Sequence, residues 1–290
     1  MNNKKKKSSG VFTFLIVLLF LAGTSILLYP TISNLWNEYR NQKLKTTYDQ
    51  AVKDLRDDQT DQIMDAAGEY NRQHTFNTIV DAFNGENEYE LSHPYDTLLN
   101  PNGDEIMGHI EIPKIDMSLV IYHGMGKTAL EQGCGHVEGT SLPIGGESTH
   151  SVLAAHRGLP SAKLFTDLDQ MEVGDVFYIT VMNEKMQYKV DQIKTVLPSE
   201  TRDLAIEPGK DLVTLLTCTP YGVNTHRLLV RGERTDWDPF DPKEDKEEVV
   251  SRSPALKLLM LGILILVIVI LILWAANKRS EKHSDREETK

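Results

Sequence analysis

Two apolar runs bracket the chain and limit what the residues between them can be. Residues 11–29, VFTFLIVLLFLAGTSILLY, carry no charged side chain, and neither do residues 258–276, LLMLGILILVIVILILWAA. At about 1.5 Å of helical rise per residue, each run is just long enough to cross a hydrocarbon core of ~30 Å. Tyr29 and Trp274 stand at run ends, where interfacial aromatics belong. The first run exceeds the usual apolar stretch of a signal peptide and no small-residue cleavage site follows, so it reads as a retained anchor. Lys4–Lys7 precede the first run, and Lys278 and Arg279 follow the second. Positive flanks stay on the cytoplasmic side. The predicted layout is therefore a two-pass protein of the cell membrane. A basic tail (1–10) and a second tail (277–290) lie inside, spans cover 11–29 and 257–276, and residues 30–256 lie on the extracellular face.

The external location permits disulfides, yet the 290-residue chain has only two cysteines, Cys134 and Cys218. Either they pair with one another or at least one thiol is kept for another purpose. The formal net charge of −11 and the lack of a long basic stripe exclude a nucleic-acid partner. No His/Cys cluster has zinc spacing, so neither a metal nor a cofactor is expected.

The external segment changes texture along its length. Leu44, Tyr48, Val52 and Leu55 recur at helical spacing, and Ile63, Ala67 and Tyr70 resume it after a break near Asp57–Thr60. This predicts helices within 30–80. Residues 81–105, rich in Asn, Gly and Glu, read as a loop. From residue 106 to 235 the pattern becomes short alternating apolar runs bounded by Gly, Pro, Asp or Asn: MGHIEIPKIDMSLVIYHG, HSVLAAH, DVFYITVM, MQYKVDQIKTVLP, LVTLLTC and HRLLVRGER. That is a mostly-β domain, a barrel or a sandwich, with one helical turn expected at 161–170. Residues 236–256 form a charged stalk.

The segment TLLTCTPYGVNTHRLLVRG (214–232) raises the question of chemistry. If its two apolar halves form a hairpin turning at Gly222–Val223, Cys218 and Arg227 face each other across the strands. A fixed positive charge beside a thiol favours the nucleophilic thiolate. A buried, inert Cys beside an Arg reaching to water fits the same spacing. A nucleophilic Cys generally works with a His. His156 is the best placed of the nine histidines, because SVLAAHRG, like VTLLTC, is an apolar strand ending on a reactive residue. His226 lies nearer in sequence but points away from Arg227 on an alternating strand. His109, His123, His136 and His150 read as ordinary loop or strand histidines.

GHIEIPKI, GHVEGTSLPIGGESTHSVLAAHRGL, LFTDL and TLLTCTPYGVNTHRLLVRG, in this order, resemble the class C, pilin-polymerising sortases of Gram-positive-type bacteria. The resemblance covers about residues 70–235 and the two-anchor layout. It implies a closed eight-stranded β-barrel with N-terminal helices and a lid, and a cysteine transpeptidase site. By position it carries the catalytic Cys onto Cys218, the Arg onto Arg227 and the His onto His156. The lid of this class, an Asp-Pro-aromatic segment, falls on Asp81 and Phe83 in TIVDAFNG, with Ala82 where the Pro would stand. The literal Asp-Pro-Phe at 238–240 lies in the stalk and reads as coincidence.

The implied substrate is an LPXTG-type sorting signal on a pilin subunit, cleaved between Thr and Gly through a Cys218 thioester. A lysine of a second pilin would resolve it. His156 would protonate the leaving amine and deprotonate the incoming one, and Arg227 would donate hydrogen bonds to the developing oxyanion. Asp81 would pair with Arg227, and Phe83 would cover Cys218. Cys134 reads as a loop thiol, not a partner for Cys218. Two rival readings stand beside this one: a sortase that anchors surface proteins to the peptidoglycan precursor, and a non-catalytic receptor or adhesin on the same barrel.

Overall fold

The computed structural model describes residues 7–73, 95–236 and Gly262. It divides into two units, with a boundary between Ile32 and Ser33. That boundary falls inside the first helix, α1 (Lys7–Lys53). Among the described residues α1 is the one helix long and apolar enough to cross a membrane. Leu19, Ile26 and Leu27 on it are 76%, 76% and 78% exposed, as side chains facing lipid would be. The helix does not stop after the apolar run. Pro30 sits within it and costs one backbone hydrogen bond. The second apolar run, the stalk and the lid positions Asp81 and Phe83 lie outside the described residues.

In the second unit α1 continues and is followed by α2 (Asp57–Gln73). The expected break at Asp57–Thr60 falls instead at Asp54–Arg56. Asp57 and Asp58 occupy the first turn of α2, where carboxylates offset the exposed backbone N–H groups and the positive end of the helix dipole. Their polarity marks a helix start rather than a gap.

Eight strands follow: β1 (Ile106–Ile112), β2 (Met117–Tyr122), β3 (Cys134–His136), β4 (Thr149–Ala154), β5 (Val176–Val181), β6 (Glu184–Val196), β7 (Asp211–Thr219) and β8 (His226–Thr235). They close in the order β1-β2-β3-β4-β7-β8-β6-β5. Closure leaves no strand edge to template aggregation. The β2–β3 and β4–β7 pairs are parallel and the others antiparallel. A short helix, α3 (Lys127–Gln132), precedes β3. The expected helical turn at 161–170 appears as loose turns ending in one 3-10 turn, Leu168–Gln170.

The barrel interior holds the main core, including Ile110, Ile121, Leu153, Phe177, Ile179, Leu215 and Val230. Helices α1 and α2 are fastened to it by buried polar side chains. The Tyr48 hydroxyl donates to the Met107 carbonyl at 2.8 Å and accepts from the Met182 N–H at 3.0 Å. Asn41 donates to the Gln132 carbonyl and accepts from the Val120 N–H, and Asn71 makes the same paired contact with the backbone of Leu142. Each amide stands in for a strand neighbour and satisfies backbone groups that burial would otherwise leave costly.

A second, smaller apolar cluster lies on the other face of the β4–β7–β8 wall: Val137, Val152, Ala154, Val196, Leu204, Leu216 and Leu229. This wall is covered on both faces, so every residue of β4 and of the interior of β7 is buried, polar ones included.

Candidate active site

The β7–β8 ladder runs in one unbroken register, from Leu212↔Glu233 to Thr219↔His226, and it pairs Cys218 with Arg227. The β4–β7 ladder is parallel, running from Thr149↔Asp211 to Ala154↔Leu216. Its hydrogen bonding continues one step further, with the Ala155 N–H donating to the Leu216 carbonyl at 3.2 Å. The Thr217 hydroxyl donates to the Ala155 carbonyl at 2.8 Å. Carried on in the same register, His156 stands level with Cys218. Two independent ladders thus bring His156, Cys218 and Arg227 to one end of three adjacent strands.

Alternation assigns the face. Val152, Ala154, Leu216 and Leu229 share the outer cluster, and steps of two along each strand lead from them to His156, Cys218 and Arg227. The three residues therefore continue the outer face of the wall, where the small cluster ends. Cys218 and Arg227 are 8% and 7% exposed, while His156 is half-buried. Arg227 Nη1 donates to the carbonyls of Asn224 and His226, both at 3.2 Å, which braces the guanidinium against the β7–β8 turn. Burial lowers the His156 pKa and the nearby Glu131 carboxylate opposes that shift, so the neutral imidazole is favoured at neutral pH. His226 pairs with Thr219, one step along from Arg227, and so falls on the opposite face.

The other four histidines of the barrel, His109, His123, His136 and His150, serve structure. His136 is fully buried; its Nδ1 lies 2.8 Å from the Tyr95 hydroxyl and its Nε2 lies 2.9 Å from the Ser141 carbonyl. The Tyr95 hydroxyl also accepts from the Gly124 N–H, and the carbonyl at Ser141 requires a donor, so the ring is neutral with its proton on Nε2. His150 bridges the Ala205 carbonyl and Thr214, His123 lies between the carbonyls of Glu105 and Leu98, and His109 contacts Asp49 on α1.

Cys134 corrects the expectation of a loop thiol. It opens β3 and is fully buried, and burial pushes its thiol pKa far up. It forms no disulfide with Cys218. The chain reaches β3 from a parallel pairing with β2, a geometry that the loop-like text EQGCGHVEG does not reveal.

Sequence reasoning missed Arg157 and Glu131, which flank His156 in space. The Arg157 side chain is 8% exposed. It donates to the Thr166 carbonyl and to the Thr219 hydroxyl, each at 3.1 Å, and pairs with Asp169. A Gly after an Arg gives no signal of this, since the acceptors come from two other segments.

Comparison with known proteins shows what the chain as a whole is similar to. A family model, the Sortase domain, matches residues 110–235. The sortase A of Streptococcus agalactiae is 26% identical over 265 residues, covering 83% of this chain and 93% of that protein. The solved sortase C1 of Streptococcus agalactiae is 43% identical with a TM-score of 0.62, covering 68% of this chain and 96% of that one. Sortase C-1 of Streptococcus pneumoniae is 44% identical with a TM-score of 0.61, covering 68% and 100%. Another solved Streptococcus pneumoniae sortase C is 39% identical with a TM-score of 0.60, covering 67% and 97%.

Proposed function

The chain belongs to the sortase family and stands with its class C enzymes, and from that premise we propose that it is a pilin polymerase acting through Cys218, His156 and Arg227. Cysteine transpeptidation is the activity of the family. The observation that carries the assignment of residues is the convergence of the two ladders on one strand end. A thiol there faces a guanidinium, with an imidazole at the same level.

The steps follow from these groups. Cys218 gives its thiol proton to the neutral His156 and attacks the Thr carbonyl of an LPXTG-type signal as the thiolate, which the adjacent cation favours. Arg227 donates hydrogen bonds to the oxyanion, the step that electrostatic preorganisation accelerates most. The Thr–Gly bond breaks, His156 hands its proton to the departing Gly amine, and a thioester remains. A pilin lysine then attacks the thioester, giving its proton to His156 and restoring the thiolate. The product is a Thr–Lys isopeptide bond. The solved Streptococcus pneumoniae sortase C is described with pilin substrate specificity, which supports pilins as donor and acceptor here. Asp81 and Phe83 form the latch over this site in the same proposal, and both apolar runs span the membrane with the barrel outside.

The test uses the full chain in detergent with a pilin bearing the sorting signal. A denaturant-resistant ladder that disappears in Cys218→Ala, with Thr joined to Lys by mass spectrometry, is the expected result. Cleavage with transfer to small wall-type amines alone would favour the anchoring reading. A labelling reagent confined to the outer face should leave a cysteine placed at Ser284 unmodified; labelling there would overturn the two-pass layout.

A further inference from the structure

We propose that Arg157 is a positioning residue for transpeptidation: it locks the segment carrying His156 to the strand end carrying Cys218. The inference rests on the reading of His156 and Cys218 given above.

The ladder alone does not hold His156. Strand β4 ends at Ala154, so His156 lies past the end of the regular strand. The imidazole sits on a segment that turns sharply at Gly158, where φ is +79° and an added Cβ would lie 3.0 Å from Tyr221 Cε2. The His156 carbonyl accepts from the Phe165 N–H at 3.2 Å, so the chain returns close to its own start within nine residues. Such a hairpin-like excursion needs a fixed point on the β7 side.

Arg157 supplies it. One guanidinium reaches the Thr166 carbonyl through Nε, the Thr219 hydroxyl through Nη1 and the Asp169 carboxylate through Nη2. These acceptors lie on the outgoing loop, on the residue after Cys218, and within the 3-10 turn at Leu168–Gln170. The Tyr221 ring lies 6.0 Å from the guanidinium carbon and closes the assembly from the β7–β8 turn. The side chain is 8% exposed although it is charged, so water does not substitute for these contacts. Asp169 is 47% exposed, so the ion pair adds little energy of its own. The function of the arrangement is geometric. A planar fork fixes three directions at once, whereas an ammonium on a flexible stem does not. Proton transfer between His156 and a leaving amine bound next to Cys218 depends on that separation, and a displacement of ~1 Å is enough to cost on the order of 10²-fold in rate.

The barrel does not depend on this brace. The interior core and the β4–β7–β8 ladders are complete without Arg157, so Arg157→Lys should fold. The experiment measures kcat and KM of the full chain in detergent, on a fluorogenic Leu-Pro-x-Thr-Gly peptide with an amine acceptor. Rates are normalised to the Cys218 thiol titrated in each preparation. The expected result for Arg157→Lys is a fall in kcat per titrated site of about 10-fold or more, with KM within about 2-fold. Thr219→Val should reduce kcat less, and the double variant should be no worse than Arg157→Lys alone, because both cut the same link. Unchanged kcat per titrated site would overturn the proposal. So would a loss that follows the melting temperature or the titrated fraction, or additive effects in the double variant. Retained activity in Cys218→Ala would instead sink the reading of the site itself, so the two failures are distinguishable.

Discussion

Cys134 and His136 lie two residues apart on β3, closer in sequence than Cys218 and His156 on β7 and after β4. The nearer pair is sealed: both residues are 0% exposed, no cation faces the thiol across its ladder, and His136 is bound at both nitrogens. The distant pair stands at a strand end on the outer face, with Arg227 paired to the thiol and the imidazole half-buried. The same two residue types yield packing in one place and a reactive arrangement in the other. Burial and a charged cross-strand neighbour make the difference, because a thiol reacts only as far as its surroundings tolerate the thiolate.

The largest expected effect separates the two thiols. Cys218→Ala should abolish transpeptidation, a loss on the order of 10³-fold or more, while Cys134→Ala leaves kcat within about 2-fold. Peptide cleavage by the full chain reads both. Loss of activity in Cys134→Ala at unchanged stability would break the comparison at its root.

The histidines should divide in the same way, but along two different axes. His156→Ala should lower kcat by about 10²- to 10⁴-fold, the range for a lost general acid–base, with little change in the unfolding midpoint. His136→Ala should do the reverse. It strips the Tyr95 hydroxyl and the Ser141 carbonyl of a buried partner, which costs about 1–3 kcal/mol. Denaturant unfolding and kcat, measured on both variants, test the crossing.

Much of this was legible in the sequence, and the reason differs between regions. The outer wall could be read because turn position fixes antiparallel register: once the turn is set at Gly222–Val223, Cys218 must face Arg227. His156 was legible only by likeness of its strand end to that of Cys218, since no local rule gives a parallel register. The seams were not legible. Asn41, Tyr48 and Asn71 bond to backbone far away in the chain, and a helix face shows its apolar stripe without naming its partners. Arg157 was hidden for the same reason. Cys134 was misread because a three-residue strand with Gly133 before it and Gly135 inside it carries no alternation to detect.

Acid should widen the contrast between the histidines. Burial holds His136 at about 4 against an ordinary 6.5, and burial also lowers His150 and His109. A depressed folded-state pKa means that stability is fully present above the unfolded value of 6.5 and is lost as pH falls towards 4. Below that value the native ring protonates too and the loss levels off. His136 alone should account for roughly 3 kcal/mol across that window. Urea unfolding of the full chain at pH 7 and at pH 4.5 should show the drop, and His136→Gln should remove most of its slope. A flat profile in the parent chain would mean that the ring is not held neutral.

The smallest effect concerns what guards each thiol. The barrel's own packing shields Cys134, so alkylation there should be negligible in any variant that stays folded. In the proposed function, access to Cys218 depends instead on the latch at Asp81–Phe83, where Ala82 leaves the backbone with more unlatched conformations than a Pro would. Ala82→Pro removes some of those conformations, an entropic gain of about 0.4–1 kcal/mol for the latched state. Iodoacetamide should then modify Cys218 about 2- to 5-fold more slowly in the full chain carrying Cys134→Ala. The Asp81→Ala and Phe83→Ala variants should modify faster than the parent. Equal rates in all four proteins would show that Cys218, like Cys134, owes its protection to the barrel alone. The distinction between the two thiols would then rest on Arg227 and on exposure at the strand end.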